Sequence, residues 1–530
     1  MTATARYVIV GAGSAGCVLA ERLSAGGRDR VVLLEAGRPD RSAEISIPAA
    51  FPRLFGSPYD WDFTTDPQAG LGGRALHWPR GKTLGGSSSL NAQIWTRGHR
   101  ADYDGWADLG CDGWSMADVL PYFRRAEDRA GGDCGYGTGG PVRIEDLRDP
   151  SPATDEFLAA CADCGIGPLT GSEAFDPEGA GPVRTTQRAG RRWSAADAYL
   201  RPAAKRPNLT VVTGAQARRV LIEDGRATGV EYETAAGVQV IRAAEVILAA
   251  GAVGSPQLLM LSGIGEAAHL KEHGIEVHAD VPAVGGHLAD HLHVPLAFSA
   301  RGPVSPGVGD PSGELGRYLH GRRGRLTSNI AEAVAFLRSS PEVPAPDLEF
   351  VWMVLPFLHG RHVPDGHGVT LGVVLLRPGS EGRIRLRSAD PAAPPAIDPG
   401  YLTDPADLRV LTTGVRRAQE VLARLGLAGR LGPALTPGAL DSSAAGVEAL
   451  IRRYADTLYH PVGSCRMGPD EDAVLDPELR VRGIGGLRVV DASAMPAIPR
   501  GHTHAPTVML AERAADLILQ HLPYGKALIA

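Results

Sequence analysis

The chain is almost without lysine: Lys82, Lys205, Lys271 and Lys526 are the only ones in 530 residues, and arginine carries the rest of the positive charge. The formal net charge is -6 and the pI about 6.3. No cluster of basic residues alternates with aromatics, so nucleic acid is not an expected partner. Apolar runs long enough to cross a bilayer are missing, and the first strand begins too close to Met1 to leave room for a signal peptide; no transmembrane segment and a cytoplasmic location are expected. Cysteine is scarce as well. Cys17, Cys111, Cys134, Cys161, Cys164 and Cys465 are too few for a disulfide scaffold in a chain this long. Cys161 and Cys164 form a Cys-x-x-Cys, but they sit in a stretch that reads as a helix with no second ligand pair nearby, which favours two small helix residues over zinc or redox use. What is present is ordinary for a globular protein, with 44% hydrophobic and 22% charged residues. The length allows two or three domains, or one nucleotide domain carrying a large insertion.

The chain is organised around Tyr7-Val8-Ile9-Val10-Gly11-Ala12-Gly13-Ser14-Ala15-Gly16, an apolar run that ends in a Gly-x-Gly-x-x-Gly. It predicts a strand, a tight turn at Gly11, close backbone approach of a pyrophosphate at Gly13, and a helix from Ser14 to about Ser24 packed closely at Gly16. A second apolar run, Val31 to Leu34, ends in Glu35, where a carboxylate accepts hydrogen bonds from the ribose hydroxyls of an adenosine. Gly135, Gly137 and Gly140 repeat the glycine spacing, but they follow the polar stretch Arg124 to Asp133 with no strand before it and read as a loop.

After Ala36 to Asp40 comes a long Pro- and Gly-punctuated region up to Trp78, a kind of segment that wraps over a cofactor. Gly85-Gly86-Ser87-Ser88-Ser89-Leu90-Asn91 then offers bare backbone and hydroxyls to a flat or anionic ligand, and it runs straight into the structured Asn91 to Trp95. Short strands are expected at Leu209 to Thr213, Arg218 to Glu223 and Thr228 to Thr234, with another at Glu245 to Ala250. A helix is expected to begin at Ser255 with Pro256 at its first position and to end at Gly263. Further on, strand-like runs at Leu348 to Leu355 and Val369 to Leu376 alternate with Pro-rich loops and a helix from about Asp404 to Leu425. A last helix runs to about His521.

Gly81-Lys82-Thr83-Leu84-Gly85-Gly86-Ser87-Ser88-Ser89-Leu90-Asn91 resembles the first signature of the glucose–methanol–choline oxidoreductases, FAD-dependent alcohol oxidases and dehydrogenases, and Gly251 to Gly265 resembles the second. With the N-terminal fingerprint and the C-terminal motifs, the likeness covers nearly the whole chain. It implies an α/β protein with a Rossmann-like FAD-binding domain assembled from several chain segments, plus an α+β substrate-binding domain with an antiparallel sheet. The implied division is an FAD-binding part in residues 1–293, a substrate-binding part in 294–456, and a catalytic segment in 457–530 that returns to the FAD domain. Gly11, Gly13, Ser14, Ala15, Gly16, Glu35 and Ala36 are expected at the nucleotide, and Gly85, Gly86, Ser87, Asn91 and Ala92 against the flavin. Asp491 and Ala492 are expected at the ribityl or pyrophosphate, with His504 in a supporting role. Relatives that attach the flavin covalently use a His where this chain has Leu90, so non-covalent FAD is implied.

The resemblance makes His460, in Tyr459-His460-Pro461, the catalytic base beside the flavin, with His502 opposite it across the substrate hydroxyl. Choline-oxidising members generally have Asn at the second position, which counts against choline. His287, His291 and His293 lie close together, the first two on one face if that stretch is helical, but no carboxylate or cysteine cluster completes a site and no metal is expected. The implied reaction oxidises a primary alcohol to an aldehyde, with hydride transfer to flavin N5 and oxygen, a quinone or a carrier protein as final acceptor. A redox-silent flavin-containing lyase, a choline dehydrogenase and a flavin-containing binding protein are the alternatives.

Overall fold

The computed structural model describes residues 4–129, 135–170, 175–358, 361–362, 366–425, 429 and 431–520. Cys134, His521 and Lys526 lie outside them. The apolar N-terminal run forms β1 (Ala5–Val10), whose Gly-rich end turns into α1 (Ser14–Ser24) before β2 (Val31–Glu35). β1 and β2 pair in parallel through Tyr7 to Val10 and Val31 to Leu34. β3 (Leu209–Thr213) adds to the outer side of β2. A meander follows of β4 (Gln216–Glu223), β5 (Arg226–Thr234) and β6 (Gly237–Leu248). The sheet order is β3-β2-β1-β6-β5-β4, and the strand Leu487–Val489 pairs in parallel with the end of β6. Segments more than 400 residues apart in sequence therefore share one sheet, as a comparison of β1 with Leu487–Val489 shows. β6 has a composite job. Its more exposed N-terminal half pairs antiparallel with β5, and its other end, buried at Ala243 and at Val246 to Leu248, runs parallel beside β1.

α2 (Gly251–Leu261) begins four residues before the expected Ser255, with Pro256 inside it. A proline there lacks the N–H that would bond the carbonyl of Ala252. That carbonyl is instead satisfied by the hydroxyl of Ser464 at 2.6 Å, and Ser255 spends its hydroxyl on Asp491 rather than on a cap. The proline thus opens a docking point for the C-terminal segment. A short strand, Glu127–Arg129, stands ahead of the second glycine repeat, where none was expected. Gly137 and Gly140 there lie against the backbone of Arg124 to Glu127, which makes their spacing a packing requirement.

The second sheet is antiparallel. β7 (Leu292–Ala300), β8 (Ala331–Leu337), β9 (Leu348–Met353) and β10 (Gly368–Leu375) are arranged β7-β10-β9-β8, edged by Leu431–Ala434 beyond β7 and by Gly179–Pro182 beyond β8. β8, β9 and β10 are buried along their whole length. The amphipathic helix Pro405–Arg424, capped by Asp404, buries Leu411, Val415, Ala418 and Leu422 and packs on β10. The last helix, α3 (His504–Gln520), packs against α1. Cys161 and Cys164 stand at the end of the helix Pro152–Asp163 as free thiols, and burial pushes the Cys161 thiol up to about 12. No helix among the described residues is long and apolar enough to cross a membrane.

Candidate active site

One cavity of about 640 Å³ takes in the C-terminal ends of β1 and β2, the 3₁₀ turn Gly86–Ser89, the start of α2 and the loops carrying His460 and His502. This is where open α/β sheets place their ligands. Of the residues expected at the nucleotide, the flavin and the substrate hydroxyl, all but Gly16 and Gly85 line it. Those two act at close range instead. A Cβ at Gly16 would stand 1.8 Å from the Gly11 carbonyl oxygen, and Gly85 donates its N–H to the Ala12 carbonyl at 2.8 Å. Gly86 adopts a left-handed conformation, and a Cβ on it would fall 2.7 Å from the Gly13 Cα. The serine-rich turn is therefore laid directly on the dinucleotide turn, a contact between two glycine motifs that the sequence displays only separately.

Glu35 is buried and holds the turn from below. Its Oε2 accepts from Ala12 N–H at 2.9 Å and its Oε1 from Gly37 N–H at 2.7 Å. A carboxylate oxygen accepts two hydrogen bonds, so each oxygen keeps one acceptor site for a ligand hydroxyl. Burial pushes the Glu35 carboxyl up to about 7, against those two backbone bonds. The first N–H groups of α1 receive no side-chain cap from Gly13, which suits an anionic ligand. Asp491 is differently placed. It lines the cavity, but Gly251 and Ser255 occupy its Oδ2 and Ser493 occupies its Oδ1 twice. Its carboxylate is spent on joining α2 to the C-terminal strand, and the backbone at Asp491 and Ala492 is what remains for a ligand. His504 opens α3, bonds the Ser14 hydroxyl through Nδ1 at 3.0 Å, and is pushed down to about 4 by burial.

At the other part of the cavity His460 and His502 stand edge to face with ring centroids 4.9 Å apart. Asp290 positions the first. Buried, it accepts from the His460 backbone N–H at 2.7 Å, from Thr457 Oγ1 at 2.6 Å and from Tyr401 Oη at 2.5 Å. Tyr459 holds a left-handed φ of 66°, a conformation that costs a non-glycine residue roughly 1–2 kcal/mol. Arg80 donates to its carbonyl and its N–H donates to Thr457, so the strained residue is anchored on both sides.

The protonation pattern behind His460 follows from its partners. His291 is fully buried, and burial pushes it down to about 3, so it is neutral. Its Nε2 lies 3.2 Å from the Leu376 carbonyl and its Nδ1 lies 3.0 Å from Nδ1 of His460. A carbonyl only accepts, so His291 carries its proton on Nε2 and presents a lone pair at Nδ1. His460 must then donate from Nδ1, which leaves its Nε2 bare. Burial first, then His502, His291 and Arg80, hold the His460 imidazolium well below the usual histidine range.

His502 is held differently, its Nε2 lying 3.1 Å from Oε1 of the fully buried Glu349 on β9. Residues 286–290 form no helix, and His287, far from sharing a face with His291, bonds Glu381 at the surface. His293 lines the cavity and bonds the Asp456 carbonyl. His291, Glu349, Arg80 and Asp290 were not among the site residues anticipated from the sequence. One signal existed for Glu349, a lone acid in the apolar run Leu348 to Leu355, because a buried charge requires a partner.

Residues 5–293 match the N-terminal part and residues 378–511 the C-terminal part of a family described as GMC oxidoreductase. A relative from Mycobacterium tuberculosis, described as an uncharacterized GMC-type oxidoreductase, is 48% identical over 97% of this chain and 98% of its own. An alcohol dehydrogenase [acceptor] of Pseudomonas putida is 43% identical over 97% of this chain and 95% of its own. An oxygen-dependent choline dehydrogenase of Photobacterium profundum is 42% identical over 99% and 94%. Among solved structures, pyridoxine 4-oxidase from Mesorbium loti superposes with a TM-score of 0.89 at 35% identity, covering 98% of this chain and all of the other. With both parts of the family description matched and likeness extending along nearly the full length, the chain belongs to the GMC oxidoreductase family.

Proposed function

We propose that this FAD-dependent oxidoreductase of the GMC family converts a primary alcohol with an uncharged, apolar tail to its aldehyde, with FAD held non-covalently. The donor set fits FAD: Glu35 keeps two acceptor sites for the ribose, the Gly11 to Gly16 turn and the uncapped start of α1 suit the pyrophosphate, and Gly86 to Ala92 offers backbone and hydroxyl groups to the ring system. Leu90 lines the cavity with no nucleophilic atom, which supports a non-covalent hold. Bound FAD supplies the hydride acceptor.

The bare Nε2 of His460 carries the functional reading, because it is an acceptor whose tautomer is fixed by His291 and Leu376. A histidine of ordinary pKa near 6.5 faces an uphill step of roughly 13 kcal/mol in taking a proton from an alcohol of pKa about 16. Burial makes His460 a weaker base still. Proton removal therefore has to proceed together with hydride departure, and the residues contribute by orientation and hydrogen bonding in a dry site rather than by basicity. His502 stands across the pair as the second polar contact for the hydroxyl.

The tail is read from the walls. Phe51, Phe55, Ile330, Met353 and Phe357 line the cavity beside Leu458 and Tyr459, and the Phe55 ring meets Tyr459 edge-on at 5.6 Å. Of the acids that line the cavity, Glu35 and Asp491 belong to the nucleotide part and Asp62 is bonded to His77 at 2.7 Å, whereas a quaternary ammonium gains most where aromatic faces and an unengaged negative charge combine. The test is anaerobic mixing of the purified holoenzyme with benzyl alcohol, 1-octanol, glucose and choline while the flavin absorbance is followed. Bleaching by the first two at rates at least tenfold above the others is expected. Preferential bleaching by choline overturns the tail assignment, and a flavin bleached by none of them favours lyase chemistry.

A further inference from the structure

The two histidines differ in what stands behind them. His460 leads to His291 and then to the Leu376 carbonyl, which takes no proton. His502 leads to Glu349, whose Oε2 is buried without a hydrogen-bond partner among the described residues. A second chamber of about 380 Å³ lies behind His502, lined by both His502 and Glu349. Arg97 also lines it, is 3% exposed, and has its own buried unpartnered nitrogen, Nη1. Orphaned buried polar atoms in a roomy chamber are satisfied by water. A neighbouring acid shows that this is not a general property of the sheet. Glu332 on β8 is equally buried, but Ser151 and Thr154 donate to its Oε2 and Ser328 to its Oε1.

We propose that Glu349 is a proton-passing positioning residue and that the second chamber is a water-holding exit, so that the hydroxyl proton leaves behind His502 and not past the substrate. The inference rests on the alcohol-oxidation reading. In the balanced step the alcohol O–H bond breaks and its proton forms an N–H bond at His460 Nε2, while the C–H electron pair leaves as hydride to FAD. The proton then moves to His502 at Nδ1, the Nε2 proton of His502 passes to the Glu349 carboxylate, and the carboxyl releases one proton to chamber water. His460 and Glu349 end as they began; His502 ends with its proton on Nδ1 and returns to the Nε2–H tautomer by turning its ring over, or by proton exchange with water, before the next turnover.

Wild-type and Glu349→Gln holoenzymes are mixed anaerobically with a reactive alcohol while flavin bleaching and proton release to a pH-indicator dye are recorded together. In the wild type the two signals coincide; in Glu349→Gln proton release lags at least tenfold behind bleaching. Acetate added to Glu349→Ala restores release in proportion to its concentration, whereas Glu332→Gln releases protons in step with bleaching. Ala162→Trp, at the exposed edge of the chamber, slows release while leaving FAD content and bleaching unchanged. In the FAD-free protein, the infrared carboxylate band that disappears in Glu349→Gln shifts on transfer to D2O. Coincident signals in Glu349→Gln, failure of acetate, or a band insensitive to D2O overturns the exit. A wild-type flavin that no alcohol bleaches removes the underlying reading and the exit with it.

Discussion

The nucleotide part of the cavity and the histidine part are built on opposite plans. The first is made mostly of backbone: the Gly11 to Gly16 turn, the Gly85-Gly86 turn laid on it, and one carboxylate, Glu35, clamped by Ala12 and Gly37. The second is made of side chains from distant segments, with His291 just before β7, Glu349 on β9, and His460 and His502 on separate C-terminal loops. In the first, shape is set by the absence of a Cβ. In the second, it is set by chains of donors and acceptors that fix where each proton sits. Damage to the first should therefore remove the cofactor, and damage to the second should remove chemistry and spare the cofactor.

The strongest way to break that contrast is Gly16→Val. A Cβ there lies 1.8 Å from the Gly11 carbonyl oxygen, so α1 must move off the turn. FAD content is expected to fall to near zero, measured as the ratio of flavin to protein absorbance after purification. Retention of stoichiometric FAD would mean that the turn is not what holds the nucleotide. Next comes His460→Ala. With a general base in this position contributing about 10²–10⁴-fold, turnover is expected to drop by that range while FAD content stays at the wild-type level.

These two residues also mark how much was legible in the sequence. Gly16 was readable because a dinucleotide turn is a local object: its spacing, its preceding strand and the acid at Glu35 all fall within a few dozen residues. His460 was readable only through family resemblance, since a His before Pro461 carries no local sign of chemistry. His291 and Glu349 were not readable at all as site residues, because tautomer and orphaned lone pairs depend on partners 85 to 169 positions away. The start of α2 was misplaced for a related reason: Pro256 obeys the first-turn rule locally, and only Ser464, 212 residues from the Ala252 carbonyl to which it donates, makes it tolerable deeper in the helix.

His291→Leu sharpens the comparison within the histidine part. Removing the acceptor at Nδ1 frees His460 to carry its proton on Nε2, where it blocks the alcohol. A loss of roughly 10–100-fold in kcat is expected, smaller than for removal of His460 itself, because the unproductive tautomer is populated and not enforced. KM and FAD content are expected to stay within about twofold. His291→Asp should restore part of the rate, since a carboxylate accepts from His460 Nδ1 and also moves the acidic limb of the kcat/KM profile to higher pH.

The most gradual effect expected is a pH dependence in the nucleotide part, traced to Glu35. Burial raises its carboxyl to about 7 in the FAD-free protein, from 4.5, so the folded chain holds this proton more tightly than the unfolded one. The contribution of Glu35 to the stability of the FAD-free protein is thus greatest below pH 4.5 and declines by up to about 1.4 kcal/mol per pH unit as the pH rises towards 7. FAD has the opposite preference, because the ribose hydroxyls need the acceptor sites that the ionised carboxylate keeps free. Its affinity should rise up to about tenfold per unit as pH increases to 7 and level off above it, with one proton released on binding below that point. Fluorescence titration of FAD into the apoprotein from pH 5.5 to 8.5 measures the slope, and Glu35→Gln should flatten it while weakening binding at the upper end. A slope that survives in Glu35→Gln assigns the proton elsewhere, and not to His504, which burial pushes down to about 4 and so keeps neutral across the whole range of the titration.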